Sequence, residues 1–181
     1  MRLLRVRDVA AWPRRVEAGL RCLVERNHEL ITLLVLFISL RLSLLLISRP
    51  QGYLFGASDY DFYVQFGQLS DEGLYPILHY WTEYPPVFPW MAVAAYKATL
   101  ALPTWHGSPI FWFRMVLGSV TLLFDLGNLM LIYWLGRVLH GPSSGLRIAW
   151  CYALLFTPLH VWLAWFDTVP LFFLLLAVAL A

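Results

Sequence analysis

Five of the eleven acidic residues fall in one polar stretch, Ser58 to Pro86, with the sequence SDYDFYVQFGQLSDEGLYPILHYWTEYPP. They are Asp59, Asp61, Asp71, Glu72 and Glu83. A carboxylate held at a water-facing edge can take a proton from an attacking hydroxyl. Two of them can also hold a metal ion. Asp59 and Asp61 stand two residues apart. In an extended segment they share one side, as a metal-binding pair does. In a helix they point apart, which leaves one for catalysis and one for capping. Ser58 reads as a helix N-cap with Asp61 at the third helical position, so Asp59 is the better candidate base and Asp61 the second. The plainer alternative is that both stabilise a helix N-terminus.

The remaining acids differ in promise. Asp71 and Glu72 precede Gly73 at a helix end and read as solvated turn acids. Glu83 precedes Tyr84-Pro85-Pro86, a rigid corner, and is either a loop acid or a site residue. Asp167 lies between Trp165-Phe166 and an apolar run, where a carboxylate also marks an interface or caps the next helix. His79, His106 and His160 are scattered and no histidine spacing defines a metal site. Cys22 and Cys151 are far apart and form no CxxC, so neither a disulfide nor a metal follows from them.

The elements that must position these groups are membrane helices. The chain is 60% hydrophobic and 13% charged, against about 25% charged in an ordinary soluble domain. Seven of its twelve arginines lie in residues 1–26. Such a basic start suits a surface facing anionic lipid rather than a nucleic-acid site. Residues 1–29 therefore read as a retained, basic cytoplasmic leader. Leu30–Ser48 is apolar and gives roughly 28 Å of helix, enough to cross the hydrocarbon layer. The outer loop, 49–109, follows. In it Phe62, Phe66 and Leu69 recur at helical spacing, as in a short amphipathic helix lying on the membrane.

The segment from Pro89 to Leu102 decides the topology. If it spans, Arg137, His140 and Arg147 lie outside, against the positive-inside tendency. If it is a juxtamembrane or re-entrant helix, Ile110–Leu135 runs inward and Arg137 to Arg147 form a cytoplasmic turn. Leu146–Phe166 then returns outward and delivers Asp167 to the face that holds Asp59, Asp61 and Glu83. The second arrangement satisfies both constraints and is adopted. Thr168–Ala181 is apolar to its last residue and reads as part of a fourth span, so the chain is expected to be a fragment of a longer protein. The expected fold is all-α: a polytopic membrane protein with three membrane helices, a partial fourth, and an outer loop of juxtamembrane helices. Arg41 and Asp125 lie near the middle of two of these helices and are expected to pair, because lone charges at that depth are costly.

Acids at an outer face beside membrane helices fit sugar transfer from a lipid phosphate. That chemistry needs a base for the acceptor hydroxyl, a cation for the departing phosphate, and a site that leaves the donor lipid in the bilayer. Arg114, near the outer end of its helix, is the candidate for the phosphate, with interface snorkelling as the alternative.

The basic leader, one membrane helix, then DYDFY, GLYP and YWTEYPPVFPW resemble the integral-membrane GT-C glycosyltransferases. WFDTVPLFFLLLA resembles the later segment in which an aspartate starts an apolar helix. The resemblance covers roughly 30–181, as the N-terminal part of such a transmembrane domain. It implies a polyprenyl-phosphate sugar as donor and a lipid or glycan as acceptor. It also implies inverting transfer of a hexose, mannosyl- or glucosyltransferase-like, at the outer or lumenal face. Asp59 and Asp61 would be the catalytic acids, and Glu83, Tyr84, Arg114 and Asp167 would contact substrate. A divalent metal is left open. A bacterial plasma membrane is favoured over the endoplasmic reticulum. The competing class is a non-enzymatic membrane protein, a transporter segment or assembly subunit whose acids line a polar cavity.

Overall fold

Six helices make up most of the described residues of the computed structural model, which are 27–47, 59–103, 110–155 and 165–181. Among them no strand forms; Pro76 and Tyr80 make an isolated bridge. The basic leader before Asn27, Ser58, His106 and His160 lie outside the described residues. The chain divides into two units, Met1–Leu36 and Phe37–Ala181. The described part of the first is the N-terminal portion of a helix that continues into the second.

That helix, α1, is His28–Ile47. The others are α2 (Tyr60–Asp71), α3 (Val87–Thr99), α4 (Phe111–His140), α5 (Pro142–Leu154) and α6 (Thr168–Leu180). Two of them, α1 and α4, are long and apolar enough to cross a membrane. α3 has 13 residues, about 20 Å, and is too short to span, as the sequence predicts for this stretch. α6 is apolar but also has 13 residues. The third expected span, Leu146–Phe166, is described as helix only up to Leu154, and 156–164 lie outside the description. The described residues therefore hold two span-length helices rather than three and part of a fourth.

A row of polar side chains down one face of α4 ties the helices together. Arg114, Thr121, Asp125 and Asn128 are all buried on that face. Arg41 of α1 donates from Nε to Oδ2 of Asp125 at 2.7 Å, and neither side chain is exposed. The pair expected from the sequence is thus present. Tyr152 of α5 donates its hydroxyl to the other carboxylate oxygen at 2.7 Å. One turn further on, Asn128 donates to the backbone carbonyl of Thr168 in α6 at 2.9 Å. One carboxylate joins three helices, and its neighbour on the same face brings in a fourth.

The turn between α4 and α5 is shorter than the sequence suggests. α4 continues through Arg137 to His140, Gly141 closes it, and α5 begins at Pro142. Proline suits this first helical position because its missing N–H is not needed there. Arg137 and Arg147 are therefore helical, not turn, residues. Gly145 serves packing instead. With Ala149 and Ala153 it forms a stripe of small buried residues one turn apart. A Cβ on Gly145 would stand 2.7 Å from the Tyr133 carbonyl oxygen and 2.9 Å from the Arg137 nitrogen, both backbone. Small residues of this kind let two helix backbones approach closely.

Two outcomes follow. Reversing one charge of the buried pair (Arg41→Asp or Asp125→Arg) is expected to cost about 3–5 kcal/mol and to lower the yield of monodisperse protein on size exclusion in detergent. Exchanging both charges should recover much of that yield. Gly145→Ala should lower the melting temperature, since backbone atoms cannot yield to a new Cβ, whereas Ser143→Ala, exposed nearby, should leave it unchanged.

Candidate functional site

α2 and α3 form a layer against the N-terminal end of α4. The stripe that α2 buries is Tyr60, Tyr63, Val64, Gly67 and Ser70. Phe62, Phe66 and Leu69, the stripe marked by hydrophobicity alone, are exposed or half-buried. Tyrosine and glycine carry the contact because of what lies opposite. The Tyr96 ring of α3 lies where a Cβ on Gly67 would be, 2.1 Å from Cγ. From there its hydroxyl reaches Asp71 at 2.9 Å, and Lys97 pairs with the same carboxylate. Asp71 is therefore a clip between α2 and α3, not a turn acid left to solvent. These partners hold its carboxyl below the usual carboxylate range. Glu72 stays at the exposed helix end. There the Gly73 N–H donates to Ser70 and the Leu74 N–H to Leu69, with Gly73 at φ 81°.

Asp59 stands at the N-cap position of α2, but its side chain makes no capping bond. Its carboxylate accepts the Tyr63 hydroxyl at 3.2 Å, one turn along. Burial pushes the Asp59 carboxyl up from its ordinary pKa. The Tyr63 bond acts the other way, and the charges of Glu83 and Asp167 push it up again. Those two acids come from the proline corner before α3 and from the N-cap position of α6. Two candidate residues far apart in the chain are thus brought within electrostatic reach of Asp59.

An aromatic wall stands beside them. Tyr63 meets Tyr84 edge-on at 5.3 Å and Phe88 at 4.7 Å. Tyr84 meets Phe166 edge-on at 5.3 Å, and Phe88 lies 5.5 Å from Phe166. These contacts dock the residue before Asp167 onto the start of α3. Burial, with the charges of Asp59 and Glu83 behind it, also raises the Tyr84 hydroxyl above its ordinary value. Tyr63 is raised by burial and by Asp59. Both phenols are therefore neutral donors at physiological pH.

Asp61 belongs to a different neighbourhood. It lies in the first turn of α2, within electrostatic reach of Arg114. Arg114 is buried in the first turn of α4, with its guanidinium 5.4 Å from the Tyr60 ring centroid. The two aspartates point apart, as a helix requires. The N-cap of α2 is Asp59 rather than Ser58, so Asp61 stands in the first helical turn, where its charge suits the helix dipole.

Among the described residues no group of three or more His, Cys, Asp or Glu is arranged to hold a metal ion. Asp59, Glu83 and Asp167 do not form such a group. His79 is used locally, accepting the Tyr75 N–H on Nδ1 at 3.0 Å. Cys151 is a free, exposed thiol. Tyr63, Phe88 and Phe166 were not marked as site residues by sequence. The signal for Tyr63 was available: it follows Asp59 by four residues, the spacing that brings two helical side chains together. Comparison with known proteins finds no matching family model, no matching curated protein and no matching solved structure.

The Asp59 carboxylate is disfavoured in the folded state, so it lowers stability wherever it is ionised. Below the carboxylate range both states are protonated and the cost vanishes. It grows as pH rises through the unfolded value and is complete above the raised folded value. Asp59→Asn keeps an acceptor for Tyr63 and should raise the melting temperature at neutral pH. That gain should shrink as the pH is lowered through the carboxylate range, as followed by thermal unfolding at a series of pH values.

Proposed function

We propose that this protein is a membrane glycosyltransferase of the GT-C type, moving a hexose from a polyprenyl-phosphate sugar to a lipid or glycan acceptor. The observation that carries the reading is the environment of Asp59. It is a partly buried carboxylate within electrostatic reach of two others, bonded by a tyrosine hydroxyl and flanked by aromatic rings. A carboxylate whose pKa is raised toward working pH is a better general base than an ordinary one.

In this reading the acceptor hydroxyl gives its proton to Asp59 as its oxygen attacks the anomeric carbon. The bond from that carbon to the phosphate oxygen breaks on the opposite face, so configuration inverts, and polyprenyl phosphate leaves. Arg114, beside Asp61 in the first turn of α4, is assigned to steady the phosphate. Glu83, Tyr84 and Asp167 are assigned to sugar hydroxyls, with the rings of Tyr84 and Phe166 offering faces to the apolar side of a sugar. A divalent metal remains open as a further aid to the phosphate.

The finer membrane arrangement belongs to the same reading. α1, α4 and the stretch from α5 to Phe166 would be three spans and α6 the start of a fourth. The N-terminus would lie in the cytoplasm and the acids on the outer face of a bacterial plasma membrane. The length and apolarity of α1 and α4 support this, as does the failure of α3 to reach across a bilayer.

The test is sugar transfer by the purified protein containing these residues, against a panel of polyprenyl-phosphate sugars. Turnover with one donor, lowered about 10²–10⁴-fold in Asp59→Asn at unchanged abundance, is the expected result. Absence of turnover with every donor, in well-folded protein, would favour the transport or assembly reading.

A further inference from the structure

We propose that the loop between α2 and α3 inserts its apolar tip, Ile77, Leu78 and Trp81, into the interfacial layer of the lipid bilayer. The inference rests on the membrane-spanning part of the reading above and is independent of sugar transfer.

The loop is built rather than slack. Ile77 has φ 71°, and among the described residues it alone combines a side chain with a positive φ. A β-branched residue rarely adopts that conformation, and the surrounding structure must enforce it. The Ile77 N–H donates to the Tyr80 carbonyl at 2.8 Å and the His79 N–H to that of Tyr75 at 3.0 Å. The Tyr75 N–H returns to the His79 ring. The Tyr75 ring stacks on Trp90 of α3, with centroids 5.6 Å apart and planes 10° apart.

What this strained turn achieves is outward display. Ile77 is 44% exposed, Leu78 70% and Trp81 84%. No Asp, Glu, Lys or Arg lies between Gly73 and Thr82. Trp90, on which Tyr75 stacks, also lines a shallow apolar groove of about 470 Å³ on α3 with Pro86, Val87, Met91 and Ala94. Exposed apolar surface at both places on the α2–α3 layer points to an interaction site.

The position names the occupant. The α2–α3 layer sits on the N-terminal ends of α4 and α6, through Tyr60 against Arg114 and Phe88 against Phe166. α4 is long and apolar enough to span. The end of a span is where headgroups meet hydrocarbon, and there tryptophan and tyrosine satisfy both an apolar ring and a polar edge. An uncharged tip of Ile, Leu and Trp at that level suits lipid.

The test uses the full protein with Cys22 and Cys151 replaced by Ser, labelled with an environment-sensitive fluorophore at Leu78→Cys. It is reconstituted in phosphatidylcholine–phosphatidylglycerol vesicles. Leu123→Cys, on an exposed face midway along α4, reports on the span itself. The expected result is stronger quenching of the Leu78 label by lipid doxylated at acyl carbon 5 than at carbon 12, with little quenching by aqueous iodide. The Leu123 label should show the reverse preference for depth. Quenching of the Leu78 label by iodide, with the Leu123 label still reached by deep lipid, overturns the loop insertion and leaves the span standing. Shielding of the Leu78 label from both quenchers means protein covers the loop, and also overturns it. A Leu123 label untouched by lipid overturns the membrane reading beneath both.

Discussion

The carboxylate of Asp125 is the fixed point of this structure. It is buried among apolar helices and could not stand there alone, because an isolated ion away from water costs several kcal/mol or more. Its two oxygens are taken by different helices, one by the Arg41 guanidinium and one by the Tyr152 hydroxyl. Arg41 is further constrained by lying over the Phe37 ring, 3.3 Å from its centroid. Buried away from solvent, neither Arg41 nor Asp125 has a competing hydrogen-bond partner in water, so each is held to the other. Dispersion between leucines would let α1, α4 and α5 slide or rotate; a bidentate carboxylate does not.

From that point the geometry passes outward. Asn128 lies one turn from Asp125 and holds the first carbonyl of α6 at Thr168. Asp167 is the next residue back and Phe166 the one before it, so fixing Thr168 also fixes both beside Tyr84 and Phe88. In the other direction along α4, Gly118 and Arg114 receive Tyr60 and with it the start of α2. Asp59 and Asp167 are therefore set by one helix acting through two neighbours. A cluster of like charges repels itself, and its persistence needs a scaffold made rigid elsewhere. The buried pair supplies geometry more than net stability, since desolvation offsets much of its attraction, but breaking it would loosen the helices that place Asp59 and Asp167.

Much of this was legible in the sequence. Apolar length marked α1 and α4, and the shortness of the Pro89 segment placed α3 outside the class of spanning helices. The cost of lone charges paired Arg41 with Asp125 across 84 residues. The expected gathering of acids is met in part: Glu83 and Asp167 lie within electrostatic reach of Asp59, while Asp61 turns to Arg114. What hydrophobicity could not reveal was the fully buried face of α2, because two tyrosines, a glycine and a serine make most of it, while Phe62 is exposed and Phe66 and Leu69 are half-buried. Nor did turn chemistry predict α4 continuing to His140, since Arg137 and Gly145 look like loop residues until the close approach of two backbones explains the glycine. The clip from Asp71 to Tyr96 and Lys97 was missed for a related reason: it joins two helices whose packing depends on Gly67 being small.

The most direct measurement on the shared acidic site is the titration of Asp59 itself, by infrared difference spectroscopy between the protein and Asp59→Asn. The carboxyl should titrate above the ordinary aspartate value of about 3.9, and its midpoint should fall in Glu83→Gln and in Asp167→Asn. A midpoint in the ordinary range, unmoved by either substitution, would mean that the three carboxylates do not share a site.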